Sequence, residues 1–162
     1  MEIVRVDRTS AESIVPLAAE FRAALRALKG EASRLDPEAA REEILDFLKA
    51  GYPVFAAKEE GAPAGYIVCR IEEPCLWVEH IYVRKEYRRR GAGSLLFEKA
   101  EELAAAMGEE TVFNYVHPNN EAMIAFLRSK GYTVLNMIEI RRPYKDEIPQ
   151  TTVRVNGIEF DY

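Results

Sequence analysis

The residues best placed to do chemistry stand in one run, Arg88-Arg89-Arg90-Gly91-Ala92-Gly93-Ser94, which follows an apolar strand-like stretch and opens a helix-prone one. Small residues at 91 to 94 let backbone N–H groups approach an anion closely, and a helix N-terminus adds partial positive charge at the same place. Three successive arginines contribute full charges suited to a pyrophosphate or a 3′-phosphate. Two other phosphate loops fit poorly. A dinucleotide-binding turn wants Gly or Ala at 96, where Leu96 stands, and a P-loop wants a Lys directly after its glycines, which is missing here. Taken alone, the loop could also be a solvated basic turn capped by glycine.

A carboxylate precedes the loop. In Trp77-Val78-Glu79-His80-Ile81-Tyr82-Val83, strand alternation puts Trp77, Glu79, Ile81 and Val83 on one face and His80 on the other. Glu79 is then a charge among apolar neighbours, fit to act as a general base, to hold a cationic acceptor, or to pair with a neighbouring strand. His80 and His117 read as structural. Cys69 and Cys75 lie in apolar strand-like runs with no His cluster nearby, so they read as two reduced thiols, and no metal site is expected.

The elements that must position these residues follow from periodicity. Ile3 to Val6 is a short strand. Ser10 caps a helix running to about Lys29, with Ile14, Leu17, Ala18, Phe21, Leu25 and Leu28 as its apolar stripe. Asp36-Pro37 opens a second helix that ends at Ala50-Gly51, with Ile44, Leu45 and Leu48 inward. Three β runs follow, Pro53 to Lys58, Ala64 to Ile71 and Leu76 to Val83, forming an antiparallel meander. Next come a helix from Gly91 to Met107, a strand from Thr111 to Val116 and a helix from Asn120 to Lys130 closed by Gly131. Tyr132 to Ile140 reads as a further strand, and Val153 to Phe160 as one more.

The chain has 162 residues and reads as one domain, with a core over 3–142 and a tail over 143–162. Its net charge of −5 argues against nucleic acid, whose binding rests on Lys and Arg neutralising phosphates. There is no basic-then-apolar leader pattern and no long uncharged apolar stretch, so the expectation is a cytoplasmic protein without membrane contact.

Arg88-x-x-Gly91-x-Gly93 after a strand and a basic turn resembles the acetyl-CoA signature of the GNAT family of N-acetyltransferases. Downstream, Asn120 opening a helix that ends in Gly131-Tyr132 resembles the family's second cofactor motif. The resemblance covers about Tyr52 to Ile140. It implies an α+β fold, with a mixed, mostly antiparallel sheet of six to seven strands, flanked by helices and splayed at the cofactor site. Backbone groups of Ile81, Tyr82 and Val83 would pair with the pantetheine arm. The residues Arg88, Arg89, Arg90, Gly91, Ala92, Gly93 and Ser94 would hold the pyrophosphate, and Asn120 would cap its helix, touch the cofactor arm, or do both.

The resemblance also suggests roles in the reaction. Glu79 lies twelve residues ahead of Gly91, the offset of the proposed base in polyamine-type members. Many members place a Tyr acid seven residues after the motif Asn, near the cofactor sulfur, and Leu127 stands there. Tyr115 or Tyr82 could substitute, or solvent could protonate the thiolate. The implied activity is transfer of an acetyl group from acetyl-CoA to an amine of a small molecule or peptide, and pairing as a homodimer is compatible with the family. A non-catalytic acyl-CoA sensor is the alternative that Leu127 keeps open, and a longer acyl donor or an oxygen acceptor would suit the same loop.

Overall fold

The protein is described by a computed structural model covering residues 1–149 and 151–162. These residues group into two compact units, Met1–Phe126 and Leu127–Tyr162.

The first unit is built on a five-stranded sheet in the order β1-β2-β3-β4-β5. The strands are β1 (Glu2–Arg5), β2 (Val54–Glu59), β3 (Ala62–Glu72), β4 (Cys75–Val83) and β5 (Phe113–Asn114). Neighbours pair antiparallel except β4 with β5, which run parallel. The meander expected from alternation is therefore present. On one face lie α1 (Val15–Leu28) and α2 (Pro37–Lys49), whose Leu17, Ala18, Ala40 and Ile44 share a fully enclosed core with Val54, Ala56, Tyr66 and Val68 of the sheet. Each large apolar side chain enclosed in this way contributes about 1.5–3 kcal/mol. The other face is covered by α3 (Ala92–Ala106), which buries Leu96, Phe97, Ala100 and Ala104. α4 (Glu121–Ser129) follows β5.

Several local expectations shift. Ser10 does not cap α1. Its hydroxyl bonds the Asp7 carboxylate at 2.9 Å, a 3-10 turn occupies Ala11–Ser13, and α1 begins beyond it with Pro16 in its first turn. A proline there loses nothing, since first-turn N–H groups have no helical partner. Asp36 caps α2 as expected, its Oδ1 accepting from Ala39 N at 3.0 Å. Leu45 is exposed, and the inward face of α2 runs instead through Ala40, Ile44, Phe47 and Leu48. The strand expected over Thr111–Val116 shrinks to Phe113–Asn114.

In the second unit, α4 ends on Gly131 at φ 89, where Gly131 N donates to Arg128 O and Tyr132 N to Leu127 O. This left-handed glycine is the stop the sequence announced. The strand expected over 132–140 is not formed. Its apolar residues come as neighbours, Val134-Leu135 and Met137-Ile138, rather than in alternation, and most are exposed. The tail instead folds on itself as a hairpin of β6 (Thr152–Val155) and β7 (Ile158–Asp161). The six- to seven-stranded sheet is thus a sheet of five and a separate sheet of two.

Among the described residues no helix is long and apolar enough to cross a membrane, and no three His, Cys, Asp or Glu side chains gather as a metal site. Cys69 and Cys75 are free thiols; burial pushes the Cys69 thiol up to about 12.

Candidate functional site

The site begins at an irregularity in β4. Cys69 pairs with Val78 but Val68 pairs with His80, so Glu79 is an extra residue, a β-bulge. β3 has no extra residue opposite it from Gly65 to Glu72, hence Tyr66, Val68 and Arg70 share one face, together with their partners Tyr82, His80 and Trp77. Glu79 reaches the same face, where its Oε2 accepts from Arg70 Nε at 2.8 Å. Simple alternation had separated Glu79 from His80 and grouped it with Ile81 and Val83. The bulge reverses this, bringing Trp77, Glu79 and His80 to the side of α1 and α2 and leaving Ile81 and Val83 on the side of α3.

The bulge also marks where the sheet opens. The β4–β5 ladder has two rungs, Trp77↔Phe113 and Val78↔Asn114. Beyond Val78, residues 79–83 have β3 on one edge and no strand on the other among the described residues. Arg84 N donates to Ala64 O of β3 at 2.9 Å, so alternation turns the backbone groups of Tyr82 toward β3 and those of Ile81 and Val83 toward the open edge. Val83 O is already engaged, accepting from Arg88 Nε at 2.9 Å.

Below the opening, the chain makes a 3-10 turn at Lys85–Tyr87 and enters α3. Gly91 is the N-cap at φ 89, and Arg89, though not a glycine, is held at φ 62. Left-handed backbone at a non-glycine costs of order 1 kcal/mol and collects at binding loops. Gly91 leaves the first N–H groups of the helix without a side-chain cap. Arg88 lies over the Tyr82 ring, and Arg90 pairs with Glu59 of β2 at 3.0 Å. Ala92 is buried in the first turn and Ser94 is half-buried. At the start of α4, Asn120 Oδ1 accepts from Met123 N at 3.2 Å, so Asn120 does cap its helix. Leu127 lies in the last turn of α4 and is buried.

Two side-chain groups surround Glu79. Arg70 joins Glu79 and Glu72 and lies over the Trp77 ring, 5.4 Å from its centroid. Tyr115 stacks on Trp77 at 4.7 Å and 12° while staying exposed. Burial works against the Arg70 charge, but hydrogen bonds to Glu79 and Glu72 outweigh it and hold its proton more tightly than usual. Farther in, His80 Nδ1 lies 3.0 Å from the Tyr66 hydroxyl, and Glu43 stands 4.0 Å from Nε2 and pairs with Arg22. Burial first, then the Arg22 charge, brings His80 down to about 3, so it is neutral and structural. Tyr82 packs near Phe21, with its hydroxyl raised above its ordinary range by burial and by Glu20.

Sequence spacing singled out Glu79 and the arginine loop but missed Arg70, Trp77 as a platform, and the bulge itself. Only the pairing register brings Arg70 to Glu79, and register is not written in either strand alone.

Comparison with known proteins adds a common frame. An uncharacterised N-acetyltransferase of Lactobacillus delbrueckii subsp. lactis is 32% identical over 84 residues, 47% of this chain and 49% of that protein. The chain thus spans about half the length of the curated relative it matches. A ribosomal-protein-alanine N-acetyltransferase from Brucella melitensis biovar Abortus 2308 has the same fold, with a TM-score of 0.70 at 18% identity over 88% of this chain and 99% of that one. The PaiA N-acetyltransferase of Thermoplasma acidophilum, in complex with coenzyme A, gives 0.67 at 20% identity over 80% and 87%. The model of the acetyltransferase (GNAT) family matches residues 19–132, well over half of the sequence and including both the bulge and the arginine loop, and the chain accordingly belongs to that family.

Proposed function

We propose that this protein moves the acetyl group of acetyl-CoA onto the primary amine of a small molecule or peptide. The observation that carries this reading is the position of Glu79, on a bulge one residue past the last β4–β5 rung, at the closed end of an open strand edge that leads to the glycine-capped start of α3. A pyrophosphate against the Gly91 turn and a pantetheine arm along Ile81 and Val83 would deliver the thioester to Glu79. The coenzyme A complex of a structural neighbour supports the cofactor, and the amine acceptor named for another supports the acceptor class.

The chemistry balances with the residues at hand. A neutral amine attacks the thioester carbonyl, the C–N bond forms and the C–S bond breaks. Glu79, directly or through a water, makes that neutral amine by taking a proton from the bound ammonium, and the proton shed as the C–N bond forms passes through solvent to the departing thiolate. Replacing Glu79 with Gln keeps the shape and removes the basicity. We expect kcat at pH 7 to fall about a hundredfold with little change in acetyl-CoA affinity, read by thiol release with a panel of amines. If the loss persists undiminished at high pH, where the amine is already neutral, Glu79 is not the base. Leu127, which offers no hydroxyl in the second motif, favours a second reading, a CoA-binding module without catalysis. Tight CoA binding with no thiol release from any amine would select it.

A further inference from the structure

Arg70 stands on β3 opposite Trp77, and its side chain is only 17% exposed. Three contacts fix the guanidinium. Nε donates to Glu79 Oε2 at 2.8 Å, Nη1 pairs with Glu72, and the group lies over the Trp77 ring. Trp77 is itself clamped from its other neighbours by Phe113 at 4.9 Å and Tyr115 at 4.7 Å. The cation therefore cannot swing away without giving up an aromatic face and two carboxylates together.

A guanidinium bonded to one carboxylate oxygen selects a rotamer of that carboxylate and so fixes where its other oxygen points. Glu79 needs that hold, because a bulge residue is not held by regular alternation and its side chain is half-exposed. Glu72, on the exposed end of β3, pairs with the same cation and helps to fix it.

We propose that Arg70 is a positioning residue for acetyl transfer, holding Glu79 through Oε2 so that Oε1 faces the acceptor amine or its water. This rests on the reading of Glu79 as the base. Arg70 touches neither acetyl-CoA nor acceptor in this scheme; it acts through Glu79 alone.

Two signatures separate this from simple packing. In Arg70→Gln, kcat at pH 7 should fall about tenfold at an unchanged acetyl-CoA KM, since small misplacement of a catalytic group costs one to two orders of magnitude, and that loss should exist only while Glu79 is present. Arg70→Lys keeps a charge but not the planar fork, so its kcat should drop as well, again at constant acetyl-CoA KM.

The test measures kcat and acetyl-CoA KM at pH 7 for the intact wild-type chain, Arg70→Gln, Arg70→Lys, Glu79→Gln and the double variant Arg70→Gln with Glu79→Gln. The emission of Trp77, the chain's one tryptophan, reports whether the layer stays packed. We expect Arg70→Gln to add nothing once Glu79 is Gln. A wild-type kcat in Arg70→Gln, or a double variant in which the two losses multiply, overturns the positioning role while leaving Glu79 as the base. A wild-type kcat in Glu79→Gln overturns both. Should Arg70→Gln fail to fold, Arg70→Lys decides, and wild-type kcat in that variant overturns the proposal.

Discussion

Tyr115 is held by a neighbour rather than by a core. It stacks nearly parallel on Trp77, yet 68% of the residue is exposed, and the stack leaves its hydroxyl to solvent. Phenylalanine keeps the stacking face, worth about 0.5–1.5 kcal/mol, so Tyr115→Phe isolates the hydroxyl. We expect an unchanged melting temperature and a kcat within about threefold of wild type, with solvent protonating the thiolate. A drop of about tenfold or more at constant acetyl-CoA KM would make Tyr115 the acid. At this scale the sequence was half legible. Glu79 stood out because its offset to the glycine loop is a distance along one chain segment. Arg70 did not, because it lies on a different strand and meets Glu79 only through the β3–β4 register and the extra residue in β4.

The start of α3 separates what the protein needs from what a ligand would need. A Cβ built on Gly93 would meet Phe126 Cε2 and Val83 Cγ2, each at 3.8 Å, which is ordinary contact. Nothing in the chain itself therefore requires glycine there, and alanine favours a helix by about 0.5–1 kcal/mol. We expect Gly93→Ala to hold or raise the melting temperature while weakening CoA by about tenfold, on the premise that the pyrophosphate approaches the backbone of the α3 first turn. Undiminished CoA affinity by calorimetry would detach this turn from the cofactor. Gly91 is a different case, since its φ of 89 makes glycine a requirement of the fold. Elements of this kind were legible where their signals are local, such as the Asp36-Pro37 cap, the Gly131 stop and the hairpins of the meander. The segment 132–140 was not. Its apolar content suggested a strand, but a strand exists only with a partner edge, and adjacent apolar pairs cannot all face one side.

For the molecule as a whole, His80 links the site to stability. It is 8% exposed, packed on Phe21 at 4.4 Å and Phe47 at 5.0 Å, beside the Tyr66 hydroxyl. The charged groups facing it are Glu43 and the Arg22 that pairs with Glu43. Its folded value of about 3 lies below the ordinary 6.5, with burial the main cause. The unfolded chain then binds more protons than the folded one between those limits. Stability from this residue is complete above pH 6.5 and is lost as pH falls toward 3, at a slope of up to about 1.4 kcal/mol per pH unit. The carboxylates with the clearest shifts, Asp7 and Glu147, are each held down at about 2 by hydrogen bonds, Asp7 chiefly from Thr9 and Glu147 chiefly from Arg141. Their contributions fade only at lower pH, near and below the ordinary carboxylate range. Acidification from pH 7 to 5 should therefore lower the urea midpoint through His80 first. In His80→Phe the buried ring has no proton to gain, so the midpoint should be lower at pH 7, where Tyr66 has lost its partner, but nearly flat down to pH 5. A wild-type midpoint that is itself flat across that interval would mean that His80 takes up its proton inside the folded chain, with Glu43 close enough to stabilise it there.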